Sequence, residues 1–203
     1  MRTSEGQAAT LSKKELKIFL ARVKQSESKW ADRNYLIMLL SFRLGLRAKE
    51  LAALTVNNIW LFESQQLHDN LCLLKTQTKG EKTRELPLSH PEVKLALVEW
   101  IDLMQKKHGT TFSPELPLFI TQKRRQFTAG RMVEAIKLMY NNAGGEFTHL
   151  SSHSGRRTFI THLANKGVDL NSLRILAGHE SVTTTQLYID ANPITLAKIM
   201  QQA

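Results

Sequence analysis

The 203-residue chain holds a single cysteine, Cys72, so no internal disulfide can form and no thiolate metal site can be assembled. Cys72 falls in a segment with strand character and is expected to serve packing. Long apolar runs are equally scarce: the longest, about Tyr35 to Leu40, is far short of the roughly 20 residues that cross a bilayer. The N-terminus is polar and carries no signal-peptide pattern, so a cytoplasmic protein is expected. Acidic side chains are in short supply too, 18 Asp and Glu against 28 Lys and Arg, leaving a formal net charge of +10. A field of that size on one small domain favours a polyanionic partner, nucleic acid ahead of an anionic membrane surface. No internal repeat, low-complexity tract or second domain boundary interrupts the sequence.

What is present is mostly helical patterning. Residues 1–10 are small and polar and read as a frayed lead-in, after which Ser12 and Glu15 form an S-x-x-E capping box flanked by Leu11 and Leu16. Leu16, Phe19, Leu20 and Val23 then recur at helical spacing. A second helix is predicted from Trp30 to Leu44, stopped by a left-handed Gly45, and a third over Ala48 to Leu54. From Asp69 the texture changes to a β-hairpin turning at Lys79–Lys82, in which Arg84, Leu86 and Leu88 alternate with Thr83, Glu85 and Pro87. Further helices are predicted over Pro91–Lys107, Thr128–Asn141, Ser152–Asn165, Asn171–Ala177, Ser181–Asp190 and Pro193–Gln201. The fold class is therefore mainly α with a small antiparallel β-sheet.

Three patterns in the C-terminal half carry chemistry: HSGRR at His153–Arg157, AGH at Ala177–His179, and Tyr188 nine residues after that histidine. His153 and Arg156 are three apart, so a helix presents them on one face. Upstream, GLRAKEL sets Arg47 at a helix start with Glu50 one turn on, able to pair with it, and Lys79 lies at the hairpin turn. Singly, each is commonplace: an arginine at a helix start is usually a surface residue, and a hairpin lysine is usually solvated. Together they are what phosphodiester transesterification needs. A tyrosine phenol with a pKa near 10 is a workable attacking and leaving group. Two guanidiniums, Arg47 and Arg156, can fork onto the non-bridging oxygens of a phosphorane-like transition state. His153 can take the phenol proton, and Lys79 can supply one to the departing sugar oxygen.

In the order Arg, Lys, His-x-x-Arg, Gly-His and Tyr, the chain resembles the catalytic domain of the tyrosine recombinases, the phage-integrase family. The resemblance runs from Leu11 to Ala203 and rests on GLRAKEL, TKGEKTRELPL, HSGRRTFITHLANKG and AGHESVTTTQLY. It implies a tyrosine-recombinase catalytic-domain fold over residues 11–203. It implies site-specific recombination (integration, excision or inversion) through a 3′-phosphotyrosyl intermediate at Tyr188, with no ATP, metal or other cofactor. That agrees with the lack of any clustered carboxylate or Cys/His ligand set. By the same resemblance His179 would hydrogen-bond the scissile phosphate and Glu50 would support Arg47. Four protomers would act on double-stranded DNA as a tetramer, the tail 191–203 packing into a neighbour or, alternatively, docking within its own chain.

The sequence also departs from the family pattern. Many relatives carry a large apolar residue before the second arginine and a histidine after it; this chain has Gly155 and Arg157, and Gly155 is expected to loosen the helix start that aims His153 and Arg156. Ala177 replaces a common leucine. Residues 1–10 are too few for the N-terminal core-binding domain of most relatives, so weak, salt-sensitive DNA binding is expected. The competing readings are a type IB topoisomerase-like relaxase, a catalytically inactive DNA-binding regulator of the same fold, and, less fittingly, a metal hydrolase built on His149, His153 and His162.

Overall fold

The computed structural model describes residues 8–78 and 83–179. Lys79, the rest of the Lys79–Lys82 turn, the helix expected over Ser181–Asp190, Tyr188, the helix expected over Pro193–Gln201 and the tail 191–203 lie outside the described residues, as do residues 1–7.

Seven α-helices and four strands, with short 3-10 turns between them, make up the described chain: α1 (Lys13–Lys24), α2 (Ala31–Leu44), α3 (Ala48–Ala53), β1 (Trp60–Leu61), β2 (Gln66–Leu67), β3 (Asn70–Leu73), β4 (Arg84–Pro87), α4 (Pro91–His108), α5 (Ala129–Ala143), α6 (Ser154–Ala164) and α7 (Leu170–Ala177). The capping box forms as read from sequence: Ser12 Oγ accepts from Glu15 N at 3.2 Å and Ser12 N donates to Glu15 Oε2 at 2.7 Å. α1 buries Leu16, Phe19, Leu20 and Val23, and Phe19 meets the rings of Phe42, Tyr140 and Phe147 at 5.1–5.7 Å.

α2 is the central helix. Every residue from Leu36 to Phe42 is buried, so it has no solvent stripe over that stretch and packs on α1, α4 and α6 at once. It ends as expected at Gly45, with φ +64°, and a Cβ there would stand 2.5 Å from Phe159 Cδ1 on α6. Conformation and space both call for glycine.

β3 and β4 pair antiparallel in the register Leu71↔Leu86 and Leu73↔Arg84. Arg84 and Leu86 face inward while Glu85 and Pro87 are exposed, matching the predicted alternation. Cys72 corrects its expectation: it lies between buried Leu71 and Leu73 on the other, half-buried face of β3, outside the core. The two-residue hairpin β1–β2 went unread because elements so short carry no period.

A small second cluster of Ile160, Ala164, Leu173 and Ala177 joins α6 to α7. It meets the main core where α6 crosses α2, and here the expectation for Gly155 is overturned. A Cβ on Gly155 would collide with Ser41 Oγ and lie 3.0 Å from Ser41 Cβ. The glycine is buried and lets two helix backbones approach; it does not loosen α6. The helix start is held instead by Ser154, whose Oγ accepts from Ser151 N at 3.0 Å.

Candidate active site

Chain reversals at α2 and α7 generate the site. Each helix ends in a left-handed glycine, Gly45 and Gly178, whose carbonyl points to an arginine of another element. Arg156 of α6 donates from Nη1 to Gly45 O at 2.9 Å and from Nη2 to Ala177 O. Arg47, the residue capping α3, donates from Nη2 to Gly178 O at 3.1 Å. The two guanidiniums predicted to grip a phosphate are thus cross-braced between the α2–α3 junction and the end of α7, and each is fixed in plane before a ligand arrives.

Glu50 organises the pair. It is fully buried, accepts from Arg47 Nη1 at 2.7 Å through Oε1, and accepts from the Arg47 backbone N at 2.8 Å through Oε2. A buried carboxylate needs compensation, and one arginine does not complete it. The second partner is Arg84 of β4, whose Nη1 stands 3.3 Å from both Glu50 oxygens. Arg84 Nη2 donates to Leu176 O at 2.6 Å and reaches Leu44 O at 3.4 Å. One side chain therefore ties the hairpin to the ends of α2 and α7. Gly178 leaves room for it, since a Cβ there would stand 2.9 Å from Arg84 Cδ. In the sequence Arg84 stands out only as one member of the hairpin's alternation with Leu86 and Leu88. The available signal was an arginine at an apolar-face position of a strand, which needs a buried anion.

His179 follows Gly178, and its backbone N donates to Arg174 O at 3.0 Å. Its pKa is pushed down to about 4, first by burial and then by the Arg156, Arg47 and Arg84 guanidiniums. The imidazole is therefore neutral at pH 7 and can both donate and accept. Arg47, Glu50, Arg156 and His179 are brought together. His153 caps α6 one turn ahead of Arg156 but is exposed, its backbone N held by Ser151 Oγ at 3.3 Å. Thr78, the last described residue before Lys79, accepts through its carbonyl from Lys49 Nζ of α3 at 3.2 Å.

The metal-hydrolase alternative weakens on the geometry. His162 is committed to Leu11 O at 2.9 Å, and among the described residues no three His, Cys, Asp or Glu side chains form a group able to hold a metal. Of the tyrosines other than Tyr188, Tyr140 is buried and Tyr35 donates to Glu92 Oε1 at 3.0 Å. Burial raises both phenols above the ordinary tyrosine range, with Glu92 adding to the effect at Tyr35. Among the described residues no helix is long and apolar enough to cross a membrane.

Comparison with known proteins gives a consistent picture. The chain is 31% identical over 166 residues to tyrosine recombinase XerD of Vibrio vulnificus (strain YJ016), covering 80% of this chain and 50% of that protein. It is 31% identical over 173 residues to tyrosine recombinase XerC of Alcanivorax borkumensis, covering 85% and 52%. It thus spans about half the length of these curated relatives. The fold is similar to that of the XerA recombinase crystal structure, with a TM-score of 0.72 at 24% identity over 96% of this chain and 65% of that one. It is equally similar, with a TM-score of 0.72 at 24% identity, to XerH bound to palindromic difH in a post-cleavage complex, over 97% and 53%. The model of the phage integrase family matches residues 9–194, which takes in both glycine-held arginines, Glu50 and His179, and the chain belongs to that family.

Proposed function

We propose that this chain is the catalytic unit of a site-specific DNA recombinase that cuts and rejoins strands through Tyr188. The observation that carries the reading is the pair Arg47 and Arg156, cross-braced on Gly178 O and Gly45 O beside a neutral His179. Two immobilised guanidiniums next to a neutral hydrogen-bonding imidazole suit a phosphodiester whose charge grows in the transition state.

In this reading Tyr188 Oη attacks the phosphorus of a DNA phosphodiester. The bond to the 5′-oxygen breaks as the 3′-phosphotyrosyl bond forms. His153 takes the phenol proton and Lys79 supplies one to the departing 5′-oxygen. Arg47 and Arg156 hold the non-bridging oxygens, His179 hydrogen-bonds one of them, and Glu50 with Arg84 keeps Arg47 aimed. The 5′-hydroxyl of a partner strand then attacks the phosphotyrosyl phosphorus and releases the phenol, which recovers its proton. One phosphoester replaces another, so bond energy is conserved. Exchange between two duplexes calls for four active sites, which supports a tetramer on DNA with the tail 191–203 as its connecting element. The names of the Xer relatives and the DNA in the XerH structure favour duplex DNA as the substrate.

Incubation with a nicked suicide duplex in EDTA tests this. The expected result is a covalent protein–DNA adduct, abolished by Tyr188→Phe. An adduct that persists in that variant overturns the nucleophile, and relaxed circles without exchanged strands from a supercoiled plasmid would make the chain a relaxase.

A further inference from the structure

A cleft of about 820 Å³ lies between the C-terminal end of α1, the N-terminal end of α2, the turn over 121–127 and the length of α5. That volume is in the range of small-ligand sites. None of Arg47, Glu50, Arg156 and His179 lines it. Its floor includes Val23, Phe127 and Met139, and its walls carry Arg22, Arg33, Lys123, Arg125 and Arg131 against one lining carboxylate, Glu134, among the described residues.

The cations are unequally satisfied. Arg131 pairs with Glu134 and Arg22 with Glu146, at 2.7 and 2.6 Å. Among the described residues no carboxylate pairs with Arg33, Lys123 or Arg125. Arg33 is the telling one, because it is only 4% exposed. Its hydrogen bonds go to neutral acceptors, Ile120 O at 2.7 Å and Asn34 Oδ1 at 2.7 Å, and its guanidinium sits 4.5 Å from the Trp30 ring and 5.4 Å from that of Phe127. Trp30 Nε1 beside it is buried with no acceptor. Burial pulls the Arg33 pKa down to about 10, the mark of a charge removed from water without a counter-ion. A buried cation of this kind costs free energy that an arriving anion recovers. The turn that carries Lys123 and Arg125 is held by Thr121 N donating to Arg125 O at 2.8 Å, and it places Arg124 at φ +56°, an uncommon conformation for a non-glycine residue. No acidic residue occupies the first turn of α5, which opens beside it at Thr128.

We propose that this cleft is a second phosphate site, in which Arg33, Lys123 and Arg125 take a phosphoryl group away from the scissile position. The open basic rim favours a backbone phosphodiester of the bound duplex as its source, and for that source alone the inference rests on the proposed DNA activity. A free phosphate ester offers the same chemistry.

Two measurements on the full chain separate the sources. Melting temperature is followed with inorganic phosphate and with sodium chloride at matched ionic strength, and duplex binding is followed from about 50 to 200 mM salt. The variants are Lys123→Ala with Arg125→Ala, both exposed, and a charge-matched control on α4, Lys106→Ala with Lys107→Ala. Arg33→Lys, which keeps the charge, accompanies them. Phosphate is expected to stabilise the parent and the control beyond the chloride effect, and to lose that excess in the cleft variant. The salt slope of the cleft variant is expected to fall by about 1 to 2 relative to the control. Phosphate-specific stabilisation with an unaltered slope assigns the site to free phosphate esters. Stabilisation by phosphate in a parent that binds no duplex leaves the cleft standing and defeats the DNA reading. Equal slopes in both double variants, with no phosphate-specific stabilisation of the parent, overturn the proposal.

Discussion

At the residue scale, the arrangement depends on charges that are useful because they are constrained. Arg84 touches no position assigned to the phosphate, yet it completes Glu50 and holds the carbonyl end of α7. It is a positioning residue, and its loss should appear in the chemical step. Arg84→Met keeps most of the stem and drops the charge; cleavage at saturating DNA is expected to slow by about 10²-fold, the size of effect that small misplacements produce. Duplex affinity should hold and Arg84→Lys should restore part of the rate; equal loss of affinity and rate, or no rescue by lysine, would assign Arg84 a merely structural part. His179 supplies a second test. Its imidazole resonances in DNA-free protein should show no titration between pH 8 and pH 5.5, because burial and three guanidiniums hold its pKa down to about 4. A midpoint near 6.5 would mean that the imidazole is neither buried nor crowded by the arginines.

Among elements, the contact of α2 with α6 decides how Arg156 is presented. α6 can approach only because residue 155 has no side chain to set against Ser41. Gly155→Ala is expected to cost about 1–3 kcal/mol through overpacking, lowering the melting temperature by about 2–4 °C per kcal/mol for a chain of this size. Ser41→Ala in the same chain removes the nearest colliding atom and should recover part of the loss, a coupling that a double-mutant cycle measures. Additive effects would locate the strain elsewhere. The opposite reading from sequence, a loosened helix start, took glycine for its flexibility when its lack of volume was what mattered. α1 was legible for the converse reason: its capping box and apolar spacing are local, and local signals survive into the fold.

For the whole molecule, buried histidines make stability depend on pH in a definite direction. Burial is the leading cause of lowered pKa values at His90, His162 and His179. A histidine whose folded pKa lies below its unfolded value lets the unfolded chain bind protons first, so stability rises with pH across that interval. The melting temperature should be level above about pH 7 and fall as pH drops through 6.5 toward 4, the window set by His179. Constancy down to pH 4.5 would contradict the buried histidines. The sequence by itself determined the helical class, the start of α1, the span of α2, the hairpin strands and the family, because periodicity, caps and ordered motifs are written along the chain. It also supplied Arg47, Lys79, His153, Arg156, His179 and Tyr188 with Glu50 in support, of which the fold brings Arg47, Glu50, Arg156 and His179 together. Only the tertiary structure decided that Gly45 holds Arg156 and Gly178 holds Arg47, that Arg84 joins Glu50 from a strand, and that Gly155 is a contact. Those facts join residues 34 to 131 positions apart. Spacing along one chain carries no signal for such pairs, because chain crossing and volume exclusion set them.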